Sequence, residues 1–278
     1  MYLLTNDQLS VEILDPVADQ QRMGARYCTG GYIFQIHDQR VGALLSGPTY
    51  PDLFNTFDGQ GIPDAFNLDP LRGVGAATEA LIIGVGLCEL KPNYTENAVK
   101  QFCEWQVLHD TQRIRMTTTQ AHHDWSLALT RTVQLMGRTV RSETHLRNTG
   151  RAAIPMCWFP HPFYPQNSQV NSHELIKLNM LVSMGENASY GIQQNNFIAR
   201  KNWPWVDGRN YLALNYEATS PLVVQQRHPK LGLITATCSY APSFFPIWGN
   251  PRTFSWEPFL ERTIAPGQEF TWWIDYDF

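Results

Sequence analysis

Three short segments of this chain combine reactive residue types with neighbours that would hold them still. In Trp158-Phe-Pro160-His161-Pro162-Phe163 a histidine stands between two prolines. The pyrrolidine rings lock φ on both sides and remove backbone donors, so the imidazole is held in one direction. Histidine changes charge close to neutral pH, and an oriented one suits proton transfer; the alternative is a turn filler. In Phe254-Ser-Trp256-Glu257-Pro258 a carboxylate lies among apolar neighbours. Desolvation there raises its pKa towards the range of a general base working near pH 7, whereas a strand-end Glu facing water would stay ordinary. The third segment, Phe57-Asp-Gly59-Gln-Gly61-Ile-Pro63-Asp-Ala-Phe66, lacks the Lys-Ser/Thr of a phosphate-binding loop and the strand-to-helix setting of a dinucleotide site. It reads as a loop whose glycines take positive φ.

Other constellations carry less. His122-His123-Asp124, near His109-Asp110, suggests a metal site only if the adjacent histidines lie in a loop, because on a strand they point to opposite faces. No Gly-x-Ser-x-Gly elbow supports a serine hydrolase. For glycoside hydrolysis by paired carboxylates, Asp207 is the candidate partner of Glu257. Trp203 and Trp205, flanking Pro204, have two readings: core packing or stacking on a sugar face.

The elements that must position these residues are strands. From Phe270 to Phe278 every even position is aromatic or aliphatic, with Thr271, Asp275 and Asp277 opposite. Leu127, Leu129, Val133 and Leu135 share one face, and after Gly137 the stretch from Val140 to Leu146 alternates again, which predicts a hairpin. Leu212, Leu214 and Tyr216 alternate, and residues 222–226 and 231–238 are further strands. Residues 173–184 fit helix and strand equally. No linker, repeat or composition shift divides the chain, so one domain over residues 1–278 is expected. The fold class is all-β, a large antiparallel β-sandwich of two packed sheets.

Composition narrows the function classes. Lys and Arg number 21 against 25 Asp and Glu, with 17% of residues charged, so no basic stripe exists for nucleic acid. No apolar run is long enough for a membrane span, and the first residues lack the pattern of a signal peptide. Five widely spaced cysteines without a C-x-x-C pair fit reduced thiols and a cytoplasmic location.

The order Asn148-x-Gly150, His161-Pro162-Phe163, Glu257-Pro258 and Pro266-Gly267-Gln-Glu269 before a last aromatic strand resembles the aldose 1-epimerase (galactose mutarotase-like) family, from about Gly31 to Phe278. Gly59-Gln-Gly61-Ile-Pro63 is similar to a loop of its hexose-6-phosphate epimerase branch. The resemblance implies a β-supersandwich that binds a small-molecule sugar and needs no cofactor or metal. It implies that His161 is the general acid protonating the ring oxygen, that Glu257 is the general base taking the C1 hydroxyl proton, and that Asp207 binds substrate. This chain departs from the pattern where an additional upstream His is common, since Ile83-Gly84-Val85-Gly86-Leu87 stands there. Phe57 and Asp58 replace the Arg that precedes the glycine loop in sugar-phosphate epimerases; Arg26, Arg72 or Arg209 would then supply charge. The implied function is interconversion of sugar anomers at C1. The alternatives are a non-catalytic carbohydrate-binding protein, a hexose-6-phosphate epimerase and a glycoside-processing enzyme.

Overall fold

Alternating apolar residues build the long strands. In the computed structural model, which describes residues 1–46, 60–73, 75, 78–167, 173–205, 210–217 and 221–278, one antiparallel sheet has ten strands. Its spatial order is Gln106–His109, Arg113–His122, Trp125–Met136, Thr139–Asn148, Glu269–Asp277, Gly232–Cys238, Val223–His228, Glu174–Leu178, Ile198–Arg200 and Tyr190–Ile192. The expected hairpin is there: Met136 pairs with Thr139 across a turn in which Gly137 takes φ 59°. The closing strand lies in the middle of the sheet and buries Trp272, Ile274 and Tyr276 on one face. The ambiguous stretch 173–184 forms two short strands, Glu174–Leu178 and Val182–Ser183. The strand expected through Leu214 is divided there, Asn210–Ala213 pairing with Pro246–Gly249 and Asn215–Tyr216 with Val182–Ser183.

The second layer differs from the single large sheet expected. Among the described residues it consists of short sheets, including Leu260–Ile264 with Ile154–Pro160 and Asp64–Ala65, and Tyr164–Pro165 with Thr253–Trp256, Pro246–Gly249 and Asn210–Ala213. Proline explains the fragmentation. Pro155, Pro160, Pro165 and Pro246 lie within these strands and cannot donate to a ladder. The layers meet through aromatic side chains: Trp272 of the large sheet packs edge-on against Trp158 at 5.4 Å, and Tyr276 lies 6.2 Å from Trp256. Each such burial contributes about 1.5–3 kcal/mol, which sets the register of the small sheets on the large one. The main apolar cluster runs from Leu4 to Tyr276.

One buried ion pair crosses between layers. Arg131, 2% exposed, pairs with Asp64, bonds to Thr144 and donates to the Gly30 carbonyl. Burial pushes the Asp64 carboxyl up to about 6 although Arg131 opposes the shift. Asp64 and Ala65 in turn pair with Pro160 and Phe159, just before His161. Among the described residues no helix is long and apolar enough to cross a membrane, and no group of three or more His, Cys, Asp and Glu side chains is placed to hold a metal ion. His123 occupies a turn at φ 53°, with its ring 4.1 Å from that of His122. All five cysteines are free.

Candidate active site

His161 and Glu257 come together because one antiparallel pairing register continues across a break. Trp158 pairs with Leu260 in one small sheet and Tyr164 pairs with Phe254 in another. Counting inward from both ladders places His161 opposite Glu257. Between the ladders the strands part, and their neighbours on this face still meet as cross-strand pairs. Phe159 stacks on Phe259 at 4.4 Å, His161 Nε2 lies 3.4 Å from Glu257 Oε1, and Ser255, opposite Phe163, shares a hydrogen bond of 2.8 Å with His161 Nδ1.

The backbone of the histidine turn is held from behind. The amide of His161 donates to the Pro63 carbonyl and that of Phe163 to the Gly61 carbonyl, both at 2.8 Å. Gly61 has φ +76°, and a Cβ there would stand 2.2 Å from the Ile33 carbonyl oxygen, so only glycine fits. The Gln-Gly-Ile-Pro stretch therefore works as a brace for the turn that carries His161. Gly59, Asp58 and Phe57 of the same segment lie outside the described residues.

A cavity of about 370 Å³ opens on the Glu257 side of the pair. Arg26, Tyr94, Phe159, Tyr211, Trp248 and Phe259 line it around the Glu257 carboxyl. Its size and its apolar walls with a few polar groups are those of a small-molecule site. Glu257 is 7% exposed, and burial raises its pKa to about 7 despite the attraction of Arg26. His161 is 0% exposed, with its ring stacked 4.3 Å from that of Phe163. Burial first, and then the positive charge of Arg26, hold the imidazole well below its ordinary 6.5. Burial thus disfavours the charged form of both groups: it raises the carboxyl and lowers the imidazole.

The structure thus brings together His161, Glu257 and Arg26, with one departure from the expected arrangement. His161 does not line the cavity; it sits behind Glu257, because cross-strand neighbours on one face leave no gap for a sugar ring between them. The cavity is therefore bounded by the Glu257 carboxyl and not by the imidazole. Arg26, 3% exposed, reaches the cavity with its guanidinium 5.4 Å from the Tyr94 ring and 5.5 Å from the Phe159 ring, and Nη1 contacts Asn67 Oδ1 at 3.3 Å. Trp203 and Trp205 are elsewhere. Trp205 packs edge-on against Tyr190, and Trp203 is covered by the Arg200 guanidinium at 3.9 Å, so both serve packing and neither lines this cavity. Asp207 and Arg209 lie outside the described residues.

Sequence reasoning did not single out Tyr94, Tyr211 or Trp248. Tyr211 had a usable signal, since it falls on the opposite face from Leu212 and Leu214, where alternation expects a polar residue. Tyr94 and Trp248 had none, because they reach the cavity from separate small sheets and loops.

No protein-family model and no curated protein matches this chain. Solved structures do. A galactose mutarotase related enzyme from Lactobacillus acidophilus superposes with a TM-score of 0.64 at 14% identity, covering 99% of this chain and 96% of the other. An aldose epimerase homologue from C. elegans gives 0.55 at 12% identity, over 99% and 97% of the two chains. A galactose mutarotase-like protein from Clostridium acetobutylicum gives 0.55 at 11% identity, over 98% of each. The large all-β antiparallel architecture of this chain is the galactose mutarotase-like fold.

Proposed function

We propose that the chain is an isomerase that interconverts the α and β anomers of an aldose, with Glu257 as the group that meets the sugar and His161 as its proton partner. Opening the ring breaks the C1–O5 bond, delivers a proton to the ring oxygen and removes one from the C1 hydroxyl. Rotation about C1–C2 and reclosure by the reverse transfers give the other anomer. The chemistry needs one proton to give and one basic site to receive at neutral pH. A carboxyl whose pKa is raised to about 7, beside an imidazole kept neutral, supplies both. His161 acts through Glu257, its orientation held by Ser255 and the braced turn.

The observation that carries this reading is the buried Glu257 carboxyl, in contact with an oriented imidazole, at the wall of an aromatic cavity. Aromatic faces stack on the apolar side of a pyranose, and Tyr211 and Trp248 in the cavity lining support this reading. Arg26 adds hydrogen-bond donors to a neutral sugar or charge for an anionic one. The test is anomer exchange followed by polarimetry or NMR on freshly dissolved glucose, galactose, xylose and glucose 6-phosphate. The protein is expected to accelerate at least one of them, and Glu257→Gln to lower that rate by a factor of about 100 or more with the fold intact. No acceleration of any of the sugars refutes the isomerase assignment; saturable sugar binding without a rate effect favours a non-catalytic binding protein.

A further inference from the structure

Among the described residues a second cavity is roomier than the one at Glu257. After strand Ala98–Phe102 the chain leaves its four-stranded sheet, and it enters the ten-stranded sheet only at Gln106. Strand Gln106–His109 therefore covers Arg113–His122 only from Ile114 to Thr117. Beyond Thr117 that edge has no strand beside it among the described residues. A cleft of about 590 Å³ fills the space, and it shares no lining residue with the cavity at Glu257.

The lining dictates what fits. Gln101, Glu104, Gln106, Thr117, Thr119 and Thr130 supply amide, carboxylate and hydroxyl groups. Trp105 forms an apolar wall, fixed by a hydrogen bond of 2.8 Å from its indole N–H to Thr29 Oγ1. No Lys or Arg lines the cleft, so nothing in it neutralises a phosphate, a nucleic acid or an acidic peptide. An extended peptide fits the edge poorly. The tight His123-Asp124 turn closes the hairpin with His122 facing Trp125, so alternate residues bond across the hairpin and only Thr119 and Ala121 present backbone groups outward beyond Thr117. That is too short a run for strand addition, which depends on a row of main-chain hydrogen bonds. Closely spaced donors and acceptors, neutral apart from the Glu104 carboxylate, beside one rigid indole suit a polyhydroxyl ligand, and the volume lies in the range that encloses molecules larger than one sugar ring.

We propose that this cleft is a second binding site, for a neutral oligosaccharide, independent of the chemistry at Glu257. It holds no paired acid and base against one another and so binds without turning over. The inference does not rest on the isomerase reading. The test is NMR chemical-shift mapping of the full chain with maltose and, separately, cellobiose. Saturable shifts at Thr117, Thr119 and Gln101 with a Kd of about 1 mM or tighter are expected for at least one of them. Thr119→Arg and Glu104→Ala, both at exposed positions, should each weaken that binding, the former by about tenfold or more, with the rest of the spectrum and any anomer exchange unchanged. The absence of saturable shifts in the cleft with both sugars, or a Kd unmoved by both variants, overturns the proposal. Cleft binding in a protein that accelerates no anomer exchange upholds it while refuting the isomerase, and the reverse pattern does the opposite.

Discussion

Replacing Glu257 by Gln is expected to stabilise the protein at alkaline pH while removing its activity. In the folded protein the carboxyl titrates at about 7 in place of an ordinary 4.5, with desolvation as the main cause. Between these two values the unfolded chain has already lost the proton and the folded one still holds it. The folded state then binds more protons, so this residue makes stability fall as pH rises through that window. At about 1.4 kcal/mol for each pH unit, the full penalty is about 3 kcal/mol, reached above pH 7. Gln fills the same space and carries no charge. The stability difference between Glu257→Gln and the wild type should be near zero at pH 4.5 and grow to about 3 kcal/mol in favour of the variant by pH 8. Urea unfolding of both proteins at intervals across this range measures it. The titration of Asp64, which makes no contact with Glu257, is common to both proteins and largely cancels in the difference. A difference that stays flat with pH, or a variant that is less stable than wild type at pH 8, would refute the claim that the carboxyl is held desolvated for proton transfer.

Three further outcomes separate scaffold from site. Gly61→Ala should lower stability by about 2 kcal/mol or more, read as a reduced midpoint in thermal or urea unfolding, because the added Cβ meets backbone oxygen and the left-handed φ disfavours it. Trp205→Ala should destabilise by about 3–5 kcal/mol. Tyr211→Ala, at a position 58% exposed, should leave the unfolding midpoint nearly unchanged and weaken sugar binding by about tenfold, measured by calorimetry. The opposite pattern would move the binding surface from Tyr211 to Trp205.

Strand positions were legible wherever one face is buried and the other wet. The closing strand and the Trp125–Met136 to Thr139–Asn148 hairpin follow the alternation residue by residue. The pattern weakened where prolines cut ladders short, and the second layer accordingly forms several small sheets in place of a large one. Trp203 and Trp205 illustrate a different limit. A tryptophan's composition is the same in a core as on a binding platform, and only its neighbours, Tyr190 and Arg200, tell which it is.

By itself, the sequence determined the all-β class, the fixed direction of a histidine between two prolines, the apolar setting of Glu257 and the positive φ of the glycine loop at Gly61. These are local properties, written in period, in ring constraints and in the sterics of φ. Only the tertiary structure decided that His161 faces Glu257, that the imidazole lies behind the carboxyl and away from the ligand, and that Arg26, Tyr94 and Tyr211 complete the cavity. Those facts depend on a pairing register between strands far apart in the chain and on burial, which shifts both pKa values. Long-range register has no signature in the order of neighbouring residues, and apolar neighbours in sequence signalled desolvation for Glu257 alone.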